Sequence, residues 1–153
     1  MIDPLERLLA IEEIRQLKMR YFRCMDMKDW TGLRSIFCAD GEFDARASLS
    51  LDGAGEEAAA ESNDWVYRGG DTIVDFVQAA IGTRRTVHHG HGHEVELLSP
   101  DMARGVIAME DQIWQDDALF LHGCGHYHET YRRDPDGWRI LTSRLSRLHI
   151  ELG

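Results

Sequence analysis

Little in this chain points to secretion, a membrane or nucleic acid. Its 153 residues hold three cysteines, Cys24, Cys38 and Cys124, an odd number with no CxxC among them. They read as thiols of a reducing compartment and not as a disulfide frame. Positive charge is short: 17 lysines and arginines against 27 aspartates and glutamates give a formal net charge of −10. A nucleic-acid binder normally presents a basic face, and an anionic membrane surface would repel such a chain. No apolar run approaches the roughly 20 residues that span a bilayer. The opening MIDPLERLLA lacks the basic segment and apolar stretch of a signal peptide. The expectation is one acidic cytoplasmic domain over residues 1–153, with neither nucleic acid nor membrane among its partners.

What the chain does have is periodic pattern, and the period changes halfway. Asp3-Pro4 offers an N-cap and a proline at the first helical position. Leu5, Leu8, Leu9, Ile11, Ile14, Leu17 and Tyr21 keep helical spacing, with Glu12, Glu13, Arg15, Lys18 and Arg20 between them. This predicts a helix to about Asp26 or Met27, then a shorter one over 31–37 capped by Thr31. Ala39-Asp40-Gly41 should break the chain before a strand over 42–49. Residues 50–64, SLDGAGEEAAAESND, read as a surface loop or insertion. A helix follows from Gly70-Asp71, capped by Asp71 or Thr72 and ended by Gly82. Then four runs, 86–98, 103–115, 119–133 and 138–150, are rich in β-branched and aromatic residues. The breaks between them are short and carry turn residues, above all Asp134-Pro135-Asp136-Gly137, so antiparallel hairpins are expected. Helices first and a meander after predict an α+β fold: a cone-shaped, strongly curved antiparallel sheet capped by N-terminal helices, with a pocket at its mouth.

Histidine is plentiful and unevenly spread. Of eight, four stand in TVHHGHGHEVEL as His88, His89, His91 and His93, and three in LHGCGHYH as His122, His126 and His128. Alternation along a strand puts His88 on one face with Gly90 and Gly92, and His89, His91 and His93 on the other. His122, Cys124, His126 and His128 likewise share a face. Either triplet is a candidate metal group, yet ligands two residues apart on a flat strand sit roughly 7 Å apart, so one ion needs a bulge or cross-strand help. The plainer reading is a histidine surface satisfied by water or a partner strand.

Among acids, Asp111 interrupts the row Gly105, Ile107, Met109, Asp111, Ile113. A carboxylate in an apolar, inward row is costly unless partnered, which marks it as a polar group placed in a pocket. Ile107 and Met109 then become pocket walls, and Glu110 points outward. His126 and His128 are assigned to the same pocket, although one residue of register slip would exchange them for Tyr127 and Glu129. Tyr21 lies on the apolar stripe of the first helix, its hydroxyl in need of a partner. Asp26, five residues on, stands about 140° round the axis, so the two share a site only where the helix turns off.

The pattern Tyr21-(x)4-Asp26-(x)3-Trp30, then Thr86-Val87-His88, then a meander with Tyr127-(x)3-Tyr131 and Asp136-Gly137-Trp138-Arg139-Ile140, resembles the SnoaL-like branch of the nuclear-transport-factor-2-like superfamily. The resemblance covers nearly the whole chain. It implies the cone fold in a homodimer or homotrimer, and a small hydrophobic substrate. Members of that superfamily include scytalone and bile-acid 7α-dehydratases, ketosteroid isomerase, polyketide cyclases and non-catalytic binding domains. In the dehydratases a tyrosine and an aspartate of the first helix, a histidine on the strand after the third helix and an acidic or histidine residue on the next strand line the pocket. By position these are Tyr21, Asp26, His88 and Asp111. The reaction so implied is dehydration of a hydroxy-ketone with no metal or organic cofactor: His88, oriented by Asp26 or Asp111, is the base, and Tyr21 donates to the carbonyl oxygen. The same group of residues also suits a double-bond shift, a ring closure or binding alone. The loop at 50–64 and the triplet His89, His91 and His93 lie outside the family pattern.

Overall fold

The computed structural model describes residues 1–49, 51 and 64–153, so all but the two flanks of the expected insertion at 50–64 lies outside the described residues. Helix α1 (Pro4–Asp26) begins where the Asp3 carboxylate accepts the backbone N–H groups of Leu5 and Glu6 at 3.0 and 3.2 Å. Its buried face starts only at Ala10 and runs through Ile14, Leu17, Lys18, Tyr21, Phe22 and Met25. Leu5, Leu8 and Leu9, which open the apolar stripe in the sequence, are 63%, 64% and 55% exposed, whereas Lys18 is fully buried.

Helix α2 (Trp30–Ile36) is capped by Asp29 and not by Thr31, the Asp29 carboxylate accepting the Gly32 N–H at 2.9 Å. Strand β1 (Phe37–Asp44) follows at once, so Ala39-Asp40-Gly41 lies inside a strand. The chain absorbs it as an irregularity, since the register against the last strand jumps between Phe37 and Glu42. Residues 46–49, expected as strand, form a turn. A short strand β2 (Val66–Arg68), not foreseen, pairs with β1. Helix α3 (Gly70–Ile81) has Gly69 at its N-cap with no side-chain cap, because Asp71 is engaged by Arg34 at 2.7 Å. Gly82 ends it.

The four predicted runs are β3 (Arg85–Ser99), β4 (Met102–Gln115), β5 (Ala118–Asp134) and β6 (Gly137–Leu152). All six strands form one curved, open sheet in the order β2-β1-β6-β5-β4-β3. Neighbours run antiparallel except β1 and β6, which are parallel. The helices cover one face; Arg15 of α1 donates to the His93 carbonyl at 3.0 Å, tying helix to sheet. Between them lies the core, with Ile14, Leu33, Phe37, Ile73, Ile107 and Ile140 among its fully buried side chains.

One detail of β3 changes the histidine pattern. His91 pairs with Ala108 and His93 with Ile107, so Gly92 is left over as a bulge, with φ at +51°. His93 therefore turns inward and is buried, while His89 and His91 remain exposed. The expected triplet on one face does not form. Among the described residues, no helix is long and apolar enough to cross a membrane.

Candidate active site

Helix α1 ends on Asp26, and that ending lets the carboxylate reach the sheet. One Asp26 oxygen stands 2.6 Å from Nδ1 of His88, and the other accepts the His88 backbone N–H at 2.9 Å. Thr86 donates its hydroxyl to Asp26 at 2.9 Å, and Lys28 donates in turn to Thr86 at 2.8 Å. Partial burial alone would push the Asp26 carboxyl up, but the bonds from His88 and Thr86 hold it below the usual carboxylate range. An ionised Asp26 fixes the proton of His88 on Nδ1 and leaves Nε2 with its lone pair free. Phe22 lies nearly parallel to the imidazole, with ring centroids 6.2 Å apart, and holds its plane.

Across the strand pair, His88 faces Asp111 directly in register. The nearest Asp111 oxygen is 4.0 Å from His88 Nε2, too far for a hydrogen bond. Asp111 is instead clamped by Arg147 of β6, whose Nη1 and Nη2 donate to its two oxygens at 2.6 and 3.0 Å. This bidentate geometry is the strongest available to a carboxylate. Arg147 also donates Nε to the Ser48 carbonyl at 2.8 Å and Nη1 to Met109 Sδ at 3.6 Å. The pair exists because residue 123, opposite Asp111, is glycine: a Cβ there would stand 2.5 Å from Arg147 Nη1 and 2.9 Å from Asp111 Oδ1.

Deeper in the cone, Tyr21 donates its hydroxyl to that of Tyr127 at 3.4 Å. Burial drives both phenols well above their ordinary range, so both stay protonated and serve as donors. The Lys18 ammonium sits 3.7 and 3.6 Å from the centroids of the Tyr21 and Tyr127 rings. It donates to Glu129 at 2.9 Å, with neither side chain exposed. Burial lowers the Lys18 ammonium to about 8, with Glu129 pulling the other way. Ser143 and Tyr131 also donate to Glu129, at 2.7 and 3.0 Å, and His93 Nε2 meets the Tyr131 hydroxyl at 2.9 Å.

The structure thus brings His88, Asp26 and Asp111 together and sets Tyr21 beside them through Tyr127. Ile107 and Met109 lie on the same inner face. His126 and His128 do not. They sit on the outer face, where His128 Nε2 meets Ser146 Oγ at 2.9 Å. The reason is register: pairing Gly123 with Asp111 puts the odd-numbered residues Tyr127, Glu129 and Tyr131 inside. Arg147 was absent from the sequence reading, Glu129 entered it only as the outcome of a register slip, and Lys18 only as a polar residue between the apolar positions of α1. Arg147 and Glu129 each interrupt an inward row, Ser143-Leu145-Arg147 and Tyr127-Glu129-Tyr131, the signal that singled out Asp111. A groove of about 770 Å³ opens on the outer face between side chains such as Glu94, Glu96, Arg104 and Thr142, and shares no residue with the His88 group.

Comparison with known proteins places the chain in a family. The model of the SnoaL-like domain family matches residues 6–144. A probable cyclase of Gibberella zeae is 26% identical over 145 residues, covering 91% of each chain. Among solved structures, a scytalone dehydratase-like protein of Novosphingobium aromaticivorans superposes with a TM-score of 0.79 at 16% identity, over 97% of this chain and 90% of that one. A hexachlorocyclohexane dehydrochlorinase of Novosphingobium barchaimii gives 0.76 at 17% identity, over 99% and 94%. At such identities the two structures speak for the fold alone.

Proposed function

The chain belongs to the SnoaL-like domain family, and from that premise we propose that it is a lyase acting on a small hydrophobic hydroxy-ketone by acid–base catalysis. The observation that carries this reading is the state of His88: one ring nitrogen held by an ionised carboxylate, the other with no hydrogen-bond partner among the described residues. That is the arrangement of a general base held ready.

In the proposed reaction, His88 Nε2 takes the proton α to the substrate carbonyl. The C–H electron pair moves into the enolate, whose oxygen accepts a hydrogen bond from Tyr127, the phenol to which Tyr21 itself donates. As the enolate collapses, the β C–O bond breaks, and the imidazolium returns its proton to the departing hydroxide as water. Asp26 balances the charge on the imidazolium in between. Arg147 holds the Asp111 carboxylate beside Nε2, where it further stabilises that cation. Every proton is moved by a side chain, so this sequence calls on no cofactor. The same residues would also serve an isomerisation or a ring closure, which share the enolate.

A second reading has an observation of its own. Asp111 is bonded to Arg147 and Tyr21 to Tyr127, and all four are buried, which also suits a domain that only binds a ligand. A turnover screen over hydroxy-steroids and hydroxy-polyketides separates the two. We expect wild-type turnover that falls by about 10²–10⁴-fold in His88→Ala and Asp111→Asn while both variants stay folded. Saturable ligand binding with no turnover by wild type would favour the binding domain.

A further inference from the structure

On the outer face of the sheet, three side chains of different chemistry converge. Glu110 of β4 with His122 and Cys124 of β5 bring a carboxylate oxygen, a ring nitrogen and a sulfur within 4.8 Å of one another, the one such group of metal-capable donors among the described residues. The register places them: Glu110 is opposite Cys124, and His122 stands two residues along the same strand. The His122 imidazole lies between two carboxylates and bonds to neither. Its Nε2 is 3.9 Å from Glu110, and its Nδ1 is 3.9 Å from Glu151 of β6. Nε2 is also buried with no hydrogen-bond partner. A buried ring nitrogen without a partner is uncommon, because desolvating it without a compensating bond costs free energy.

We propose that Glu110, His122 and Cys124 form a binding site for one zinc-type divalent cation. Thiolate, imidazole and carboxylate together are a borderline-soft set, suited to zinc and not to magnesium or calcium, which take oxygen donors. At metal–ligand distances of about 2.0–2.3 Å, tetrahedral donors stand roughly 3.3–3.8 Å apart, so side-chain rotations closing about an ångström complete the set. Glu151 faces the other ring nitrogen. It is placed to accept the Nδ1 proton and aim Nε2 at the ion, the carboxylate–histidine–metal arrangement common at such sites. Cys124 gives up its thiol proton to solvent as its sulfur binds, and water takes the fourth position. The site lies across the sheet from His88, so it stands or falls independently of the lyase reading.

The test uses the full chain, purified without a histidine tag and stripped with a chelator. Titration with cobalt(II) is expected to show tetrahedral d–d bands and a sulfur-to-cobalt charge-transfer band, saturating at one ion per chain. Calorimetry with zinc should give the same stoichiometry. His122→Gln and Cys124→Ser should each weaken zinc about 100-fold or more, and Glu151→Gln about 10-fold. His89→Gln/His91→Gln should leave affinity unchanged. Cobalt binding without the sulfur band, or zinc affinity equal to wild type in His122→Gln and Cys124→Ser, would overturn the site. Should those variants not fold, wild type alone decides: zinc must slow alkylation of Cys124, located by peptide mass, and an unchanged rate refutes the proposal.

Discussion

His88 and His93 stand on the same strand, both turned to the inside, and the structure puts them to opposite uses. His88 carries its proton on Nδ1, held by the Asp26 carboxylate, and keeps Nε2 bare. His93 is the other tautomer. Tyr131 has one hydroxyl proton and donates it to Glu129, so His93 Nε2 must be the donor to Tyr131 and Nδ1 is left without a partner. Burial lowers His93 to about 4, with Glu129 opposing and Lys18 and Arg15 adding to the fall. The difference lies in the partner. A carboxylate fixes the imidazole's proton on one nitrogen and leaves the other open, while a phenol inside a closed network leaves the ring neutral. In the proposed reaction the His88 group does the chemistry, and the Lys18–Glu129 group is architecture.

The comparison can be broken hardest at Asp26. Asp26→Asn removes the anion but keeps the shape, and kcat/KM is expected to fall by about 10³–10⁴-fold in steady-state assays of the substrate found by screening. A loss under tenfold would mean that His88 does not depend on it. The second group should answer in stability. Lys18→Ala or Glu129→Gln each strands a buried partner and is expected to cost roughly 3–5 kcal/mol in urea unfolding, whereas Lys18→Met/Glu129→Leu should recover most of that.

Acid sharpens the contrast further. With a folded pKa near 4 against about 6.5 unfolded, His93 binds its proton more readily in the unfolded chain. Stability from this residue is therefore complete above pH ~6.5 and lost as pH falls toward 4, by about 3 kcal/mol in all. Its ring faces Tyr131, Glu129, Lys18 and Arg15, so denaturation midpoints against pH for wild type and His93→Phe isolate its share. A parallel slope in the two proteins would assign the acid sensitivity to other groups. The smallest effect is expected from Thr86→Val, which deletes one bond to Asp26 and should lower kcat/KM about tenfold or less with the fold unchanged.

Much of the fold was legible because it is written in periods. The long helix announced itself by Asp3-Pro4 and its apolar spacing, and the four long strands by alternation and the DPDG turn. Short or irregular elements escaped. β2 has three residues, too few for a period, and the bulge in β1 disguised a strand as a break. In the site, Asp111 was visible as a carboxylate in an apolar row, and Arg147 obeyed the same rule on β6. That Asp26 turns into the sheet, and that Asp111 takes Arg147 as partner, are tertiary facts carried by the end of a helix and a glycine on a neighbouring strand. His126 and His128 failed on parity, which one pairing decides for the entire strand.

The bulge at Gly92 carries more than one histidine. It makes β3 two pleats spliced half a wavelength out of phase: even-numbered Thr86 and His88 look inward before the splice, odd-numbered His93 and Leu97 after it. Flattening the bulge with every residue kept would carry the even-numbered side chains inward to the end of the strand: His93 and Leu97 would swing out to solvent, Glu94 and Glu96 would swing in among apolar side chains, and Tyr131 would lose its imidazole. The strand reads as two lines in different metre, and one glycine is the caesura.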